Sequence, residues 1–191
     1  MAVSAAHLLT PSNRVPCASP PRLSGSPGIY ALFARPSRPL IWRQLGITSR
    51  QDSLLYVGVA TSSLADRYHP GEGSCRVSST RFSFGALLRL WLCLTMKIAK
   101  SGQTGQWHFE PDSEDRLTEW MKDNLEYTGL TCAAQPAGLR ASEAALIQQL
   151  DPPLNLDHIQ RQTRRFLQDR RAICRKIART LRDQADEGAV T

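Results

Sequence analysis

The chain has 191 residues, enough for one ordinary domain with appendages and too few for two full-sized ones. Lys and Arg number 24 against 17 Asp and Glu, and the net charge of +7 points to an anionic partner, either nucleic acid or a membrane surface. No stretch free of charged side chains exceeds 13 residues, which excludes a membrane-spanning helix of about 18 apolar positions; five Cys without a C-x-x-C pair argue against a disulfide framework or structural zinc and for a reducing, cytoplasmic compartment.

Residues 1–27 are rich in Pro, Ser and Ala and lack a charged start before a long apolar run, so they read as a disordered leader and not as a secretory signal. Order is expected from Gly28, where Ile29, Tyr30, Leu32 and Phe33 make a strand over 28–35 that Pro36 and Pro39 close. Leu54–Ala60 is a second strand suited to antiparallel pairing with the first, and the connection 36–53 is expected to protrude as a loop. A short helix over 64–69 ends at Pro70 and Gly71, and a Gly and Ser loop leads to Thr80. Residues 84–100 are apolar nearly all round and predict a central packing helix that stops at Gly102. Trp107–Phe109 is a third strand, 113–125 a helix with Ser113 as N-cap, and 127–133 a further strand. A helix over 142–150 is stopped by Pro152 and Pro153, and a long basic helix over 158–183 precedes a polar tail. The fold class is therefore α/β (α+β), a small, mainly antiparallel sheet of three or four strands flanked by helices. Its divisions are a leader 1–27, a domain 28–157 and a basic C-terminal helix and tail 158–191.

Residues 158–191 hold 9 basic and 4 acidic groups, so most of the excess charge lies at the C-terminus. At about 100° per residue, Phe166, Ile173, Ile177 and Leu181 share an apolar stripe. Arg161, Arg164, Arg171, Arg175, Arg179 and Arg182 lie opposite it, while Arg170 falls within it. This face is either the solvated side of a packing helix or an arm that tracks phosphates, with Arg161, Arg164, Arg171 and Arg175 as the nucleic-acid contacts.

Glu143 stands out on physical grounds. Leu146, Ile147 and Leu150 follow it at i+3, i+4 and i+7, which puts a carboxylate in the middle of an apolar stripe. A buried, unpaired carboxylate costs several kcal/mol, roughly, so a metal ion or an Arg is expected beside it. The alternative is a place in the first helical turn, where the helix dipole favours an acid.

Gly28-Ile29-Tyr30, Tyr56-Val57-Gly58, Arg67, Glu143 and Asn155, in that order, resemble the markers of the GIY-YIG nuclease family. Arg67 follows Gly58 by nine residues and Asn155 follows Glu143 by twelve, spacings close to those of family members. Two features depart from the pattern. The two tripeptides lie farther apart than is usual, so 36–53 looks like an insertion, and the 84–100 segment is bulkier than in minimal members. The 78–80 Ser-rich stretch, Trp120-Met121 and Pro152-Pro153-Leu154-Asn155 also resemble a group of bacterial members.

The resemblance implies a metal-dependent endonuclease that cuts nucleic acid, most simply DNA. Phosphodiester hydrolysis needs a nucleophilic water and a cation to neutralise charge on the phosphoryl oxygens. Glu143 would hold Mg²⁺ or Mn²⁺, since one carboxylate plus substrate phosphate suffices for a hard ion that keeps its waters. Arg67 would grip the scissile phosphate through its planar fork. Tyr30 and Tyr56 would flank the nucleophile, and the resemblance favours Tyr30 as base and Tyr56 as positioner. A phenol with an ordinary pKa of about 10 acts as base only if its surroundings favour the phenolate.

Each residue also has a plainer reading. A lone strand Tyr is commonly a packing residue with a wet hydroxyl. Asn155 either bonds nearby backbone, fixes the edge of the site, or contacts substrate. His69, two residues past Arg67, is a second candidate base or phosphate contact, or incidental. Two other classes compete with the nuclease. One is a binding module that keeps the fold without cutting; the other is an adaptor whose basic helix docks on an acidic protein or membrane surface. No membrane association is expected, and the sequence does not set the oligomeric state.

Overall fold

A strand sends successive side chains to opposite faces, and the absence of any charged residue from Gly28–Ala34 suits a strand covered on both sides. The computed structural model buries that strand along its whole length. The structure describes residues 5–19, 25–50, 52–68, 75, 78–98, 107–158 and 161–188. In chain order these form α1 (Ala5–Leu9), β1 (Val15–Pro16), β2 (Gly28–Ala34), α2 (Ile41–Leu45), β3 (Leu54–Ala60), α3 (Ser79–Leu88), β4 (Met96–Ile98), β5 (Trp107–Phe109), α4 (Pro111–Asn124), β6 (Leu125–Thr131), α5 (Pro136–Leu150) and α6 (Arg161–Gly188). Two 3-10 turns lie at Pro11–Asn13 and Ala65–Arg67.

The main sheet has the order β1-β6-β2-β3 and is antiparallel throughout, so the fold is the α+β class with a small antiparallel sheet that the sequence implied. Tyr30, Leu32 and Tyr127 face one apolar cluster, shared with Ile41, Phe84, Leu117 and Leu167 of α2, α3, α4 and α6. Ile29, Ala31, Phe33 and Val57 face the other, covered by Leu8 of α1 and by Leu139, Leu146 and Ile147 of α5.

Several expectations are corrected. The segment 5–19 is ordered: Leu8 and Cys17 are buried, β1 pairs with β6 at Val15↔Tyr127, and Arg14 sits 3.9 Å over the Phe33 ring. Its Pro-rich composition reads as coil, but Pro16 is tolerated because β1 is an edge strand. The 36–53 connection does not simply protrude, because α2 buries Ile41 and Leu45 and Gln44 accepts a bond from the Trp120 indole at 3.1 Å.

The helix expected over 84–100 divides into α3, a turn and β4. A short apolar run fits a helix and a buried strand equally well, and Cys93 at φ 50 ends the turn. β5 pairs with β4 in a separate two-stranded sheet and does not join the main one. Pro111 opens α4 behind Glu110, so Ser113 is not the cap; it is buried and its hydroxyl accepts the Thr95 N–H at 2.9 Å. Of the helix expected over 64–69, the described residues 64–68 form only the 3-10 turn Ala65–Arg67.

The buried face of α6 lies about a quarter turn from the expected stripe. Leu167, Cys174 and Ala178 are buried against the body, while Ile173 and Leu181 are each 45% exposed. Small residues win there because α6 lies close against α3 and β4. Arg171 is correspondingly half-buried, with its guanidinium 5.2 Å over the Phe82 ring.

Arg81 of α3 is fully buried and donates to the Glu114 carboxylate at 2.9 Å, to the Glu114 carbonyl at 3.0 Å and to the Thr118 hydroxyl at 2.9 Å. The same carboxylate accepts the Cys75 N–H at 2.8 Å. Breaking such a pair on one side leaves an uncompensated buried charge. Arg81→Met should therefore lower the unfolding free energy by about 3–5 kcal/mol in denaturant melts. Adding Glu114→Gln, which removes the charge but keeps an acceptor for Cys75, should restore part of it; no recovery in the double variant would show that the loss is packing alone.

Candidate active site

The β2 register sets Tyr30 opposite Gly58 of β3 on one side and Gly129 of β6 on the other. A Cβ at Gly58 would lie 2.5 Å from the Tyr30 ring and 2.7 Å from the Tyr56 ring, and one at Gly129 would lie 3.0 Å from the Tyr127 ring. Rings fill the space that side chains at these two positions would need. The Tyr30 ring is 6.0 Å from Tyr56 and 5.8 Å from Tyr127, to which it is stacked at 10°, and Tyr68 meets Tyr127 edge-on at 5.4 Å. The chain's four tyrosines thus form one column. Its far end is fixed by the Tyr68 hydroxyl, which donates to the Cys17 carbonyl at 2.6 Å.

β3 is the edge strand of the main sheet, so alternate backbone groups along it lack a strand partner. The Leu55 carbonyl accepts from the Leu154 N–H at 3.0 Å. The Asn155 side chain accepts the Val57 N–H at 3.0 Å and donates to the Val57 carbonyl at 2.7 Å. The Val59 N–H donates to the Glu143 carboxylate. Pro136 opens α5, so Glu143 lies two turns inside the helix and the first-turn dipole does not account for it. Asn155 is 4% exposed with both amide atoms engaged by Val57, so here it holds the strand edge.

Arg67 is exposed at the end of its 3-10 turn, and its charge acts on Tyr30, Tyr56 and Glu143 alike. The structure therefore brings Tyr30, Tyr56 and Glu143 together, with Asn155 behind them and Arg67 near enough for its charge to act on all three. His69 lies outside the described residues. A cavity of about 380 Å³ opens on Tyr56, Glu143 and Asn155 and is also lined by Ser79, Arg140 and His158. Tyr30 is 2% exposed and sits behind Tyr56.

Burial pushes the Tyr30 phenol well above its ordinary pKa, reinforced by Tyr56 and opposed by Arg67. Tyr30 donates its proton to the Tyr56 oxygen, a bond that favours the Tyr56 phenolate. Tyr56 is also raised, first by burial and then by the Glu143 charge, against the Thr80 hydroxyl, Tyr30 and Arg67. Burial raises the Glu143 carboxyl too, opposed by the Val59 N–H, Arg140, His158 and Arg67.

Arg140, His158 and Thr80 were missed in the sequence. Arg140 lies one turn before Glu143, a relation visible only once the helix is started at Pro136. His158 follows Asn155 by three residues in a left-handed conformation, φ 64, which no sequence signal marks. Of the proposed nucleic-acid contacts, Arg164 and Arg175 are exposed, Arg171 is half-buried, and the Arg161 side chain lies outside the described residues.

The family model for the GIY-YIG catalytic domain matches residues 28–175. The chain belongs to the GIY-YIG family. The match begins at the Gly28-Ile29-Tyr30 strand and ends inside α6, past the boundary expected at 157. GIY-YIG proteins are nucleases that act on nucleic acids. No curated protein and no solved structure matches the chain. Among the described residues of this GIY-YIG protein no helix is long and apolar enough to cross a membrane.

Two outcomes follow from these environments. A carboxyl whose pKa is higher folded than unfolded binds its proton more tightly in the folded state, so its ionised form lowers stability above that window. In EDTA at pH 7.5, Glu143→Gln should raise Tm by roughly 1–3 °C, and the gain should vanish as pH falls through the carboxylate range. A variant that melts at or below the parent at pH 7.5 contradicts this account. The Tyr127 hydroxyl is buried with no hydrogen-bond partner among the described residues, so Tyr127→Phe should match or exceed the parent Tm.

Proposed function

We propose that the protein is a metal-dependent endonuclease that hydrolyses phosphodiester bonds in DNA. The observation that carries this reading is one cavity lined by the Tyr56 phenol and the half-buried Glu143 carboxylate, with Tyr30 bonded to Tyr56 behind it and the exposed Arg67 guanidinium near enough for its charge to act on all three. Among the described residues no cluster of three His, Cys, Asp or Glu is present. The donor set is therefore the Glu143 carboxylate plus substrate phosphate, which suits Mg²⁺ or Mn²⁺ retaining most of its waters. When bound, such an ion supplies neutralisation of the charge that develops on the phosphoryl oxygens.

Arg67 binds the scissile phosphate through parallel N–H bonds. Tyr56, as phenolate, takes a proton from the attacking water as the water oxygen bonds to phosphorus and the bond from phosphorus to the leaving deoxyribose oxygen breaks; solvent protonates that oxygen. Tyr30 and Thr80 donate to the Tyr56 oxygen and so favour its anionic form. Cavity exposure supports Tyr56 as the proton acceptor over Tyr30, which is buried behind it. Asn155 keeps β3, and with it Tyr56, at the depth of Glu143. The exposed arginines of α6, Arg164 and Arg175 foremost, extend a positive track for the strand.

Plasmid nicking with Mg²⁺ tests the assignment. Glu143→Ala should lower the rate by on the order of 10²–10³-fold with folding intact. Nicking as fast as the parent sinks it, and salt-dependent DNA binding without cleavage in any divalent metal would make the protein a binding module. Because the Tyr56 pKa is raised, the phenolate fraction at neutral pH is small and grows with pH. The rate should climb with a log–log slope of about +1 from pH 7 to 9, and Tyr56→Phe should abolish both the rate and the slope.

A further inference from the structure

The cavity wall that carries Tyr56, Glu143 and Asn155 does not include Arg67; the basic side chains in it are Arg140 and His158. Arg140 is exposed, one turn before Glu143 on α5, and among the described residues no carboxylate lies within ion-pair distance of it. Asp157, the remaining acid of the wall, is 3.6 Å from Arg164. The segment from Asp151 to His158 begins and ends on left-handed residues, φ 45 and φ 64, and is anchored between them by Asn155 on Val57. Backbone held in this sparsely populated region by a non-glycine residue persists only where its surroundings over-determine it, and such residues cluster at ligand sites.

We infer that Arg140 and His158 form a second phosphate subsite, which holds the phosphodiester next to the scissile one on the cut strand. The inference rests on the nuclease reading above and adds to it a substrate contact separate from Arg67. With Glu143 neutralised by its cation, this wall presents net positive charge, and a guanidinium fork beside an imidazole matches a phosphodiester's two free oxygens. The effect of both groups on the Glu143 carboxyl is consistent with their facing the same space. The strand then lies across the cavity with one phosphate on Arg67 and its neighbour on Arg140, so the subsite fixes which linkage meets Tyr56.

The test uses the full chain in two arms. In EDTA, anisotropy of a fluorescein-labelled 20-base-pair duplex is measured between 50 and 300 mM NaCl with Glu143→Gln as background. Adding Arg140→Gln should raise Kd about 5–10-fold and lower the salt slope by about one, Arg140→Lys should keep the slope, and His158→Gln should weaken binding about 3-fold. Unchanged Kd and slope in Arg140→Gln overturn the inference whether or not the parent cleaves. In the second arm, single neutral methylphosphonates are placed around a mapped cut in the cleaving protein. One linkage adjacent to the cut should raise KM about 10-fold in the parent and less than about 2-fold in Arg140→Gln, with kcat within about 3-fold. Coupling to a linkage several steps away, or to none, also overturns it. Cleavage that survives in Glu143→Gln would refute the metal-holding role of Glu143 alone, and no cleavage by the parent in any divalent metal would refute the nuclease reading alone, because the anisotropy arm does not depend on catalysis.

Discussion

The free edge of β3 is the constraint on which the site depends. A strand with an open side must satisfy its outward N–H and C=O groups or attract another chain. Here three separate pieces of later sequence do so in order: the backbone of Leu154 at Leu55, the amide of Asn155 at Val57, and the carboxylate of Glu143 at Val59. Satisfying the edge is therefore the same act as building the site. α5 packs on the sheet face opposite Tyr30, and only by reaching round this edge does its carboxylate meet the phenols.

Around that edge the protein keeps groups in unfavourable states. Among the described residues, two phenols are packed against each other, a carboxylate is half-buried without an ion-pair partner, and the Tyr127 hydroxyl has no hydrogen-bond partner. Compensation comes from a short distance away. Arg81, next in sequence to Thr80, is clamped to α4 through Glu114 and Thr118, which fixes the first turn of α3 where Ser79 and Thr80 reach the cavity and Tyr56. Rigid support beside a strained site is the usual division between stability and function.

The strands bearing Tyr30 and Tyr56 were legible because β-favouring residues there agree with the burial that follows, and Glu143 was legible because a carboxylate at an apolar helical position is physically odd. Segments where several structures fit one composition were not legible. Leu94, Met96 and Ile98 read as helix until Trp107–Phe109 supplies a strand partner. The Pro-rich start read as coil, although Leu8 and Val15 find apolar surface on the sheet. The stripe on α6 was misplaced by about a quarter turn, because periodicity ranks residues by polarity while close approach selects them by size, favouring Cys174 and Ala178 over Ile173. Arg140 and His158 escaped notice because one depends on where α5 starts and the other on a backbone conformation.

The long segment between β2 and β3 leaves the hairpin at Ala34 and returns at Leu54, whereas Tyr30 and Gly58 face each other toward its opposite end. Lengthening the chain there does not shift the pairing of Tyr30 with Gly58, because register is carried by the ladder itself. This end of the molecule is thus a tolerant port, where new contacts with a partner or a substrate can be grafted while the chemical machinery keeps its alignment.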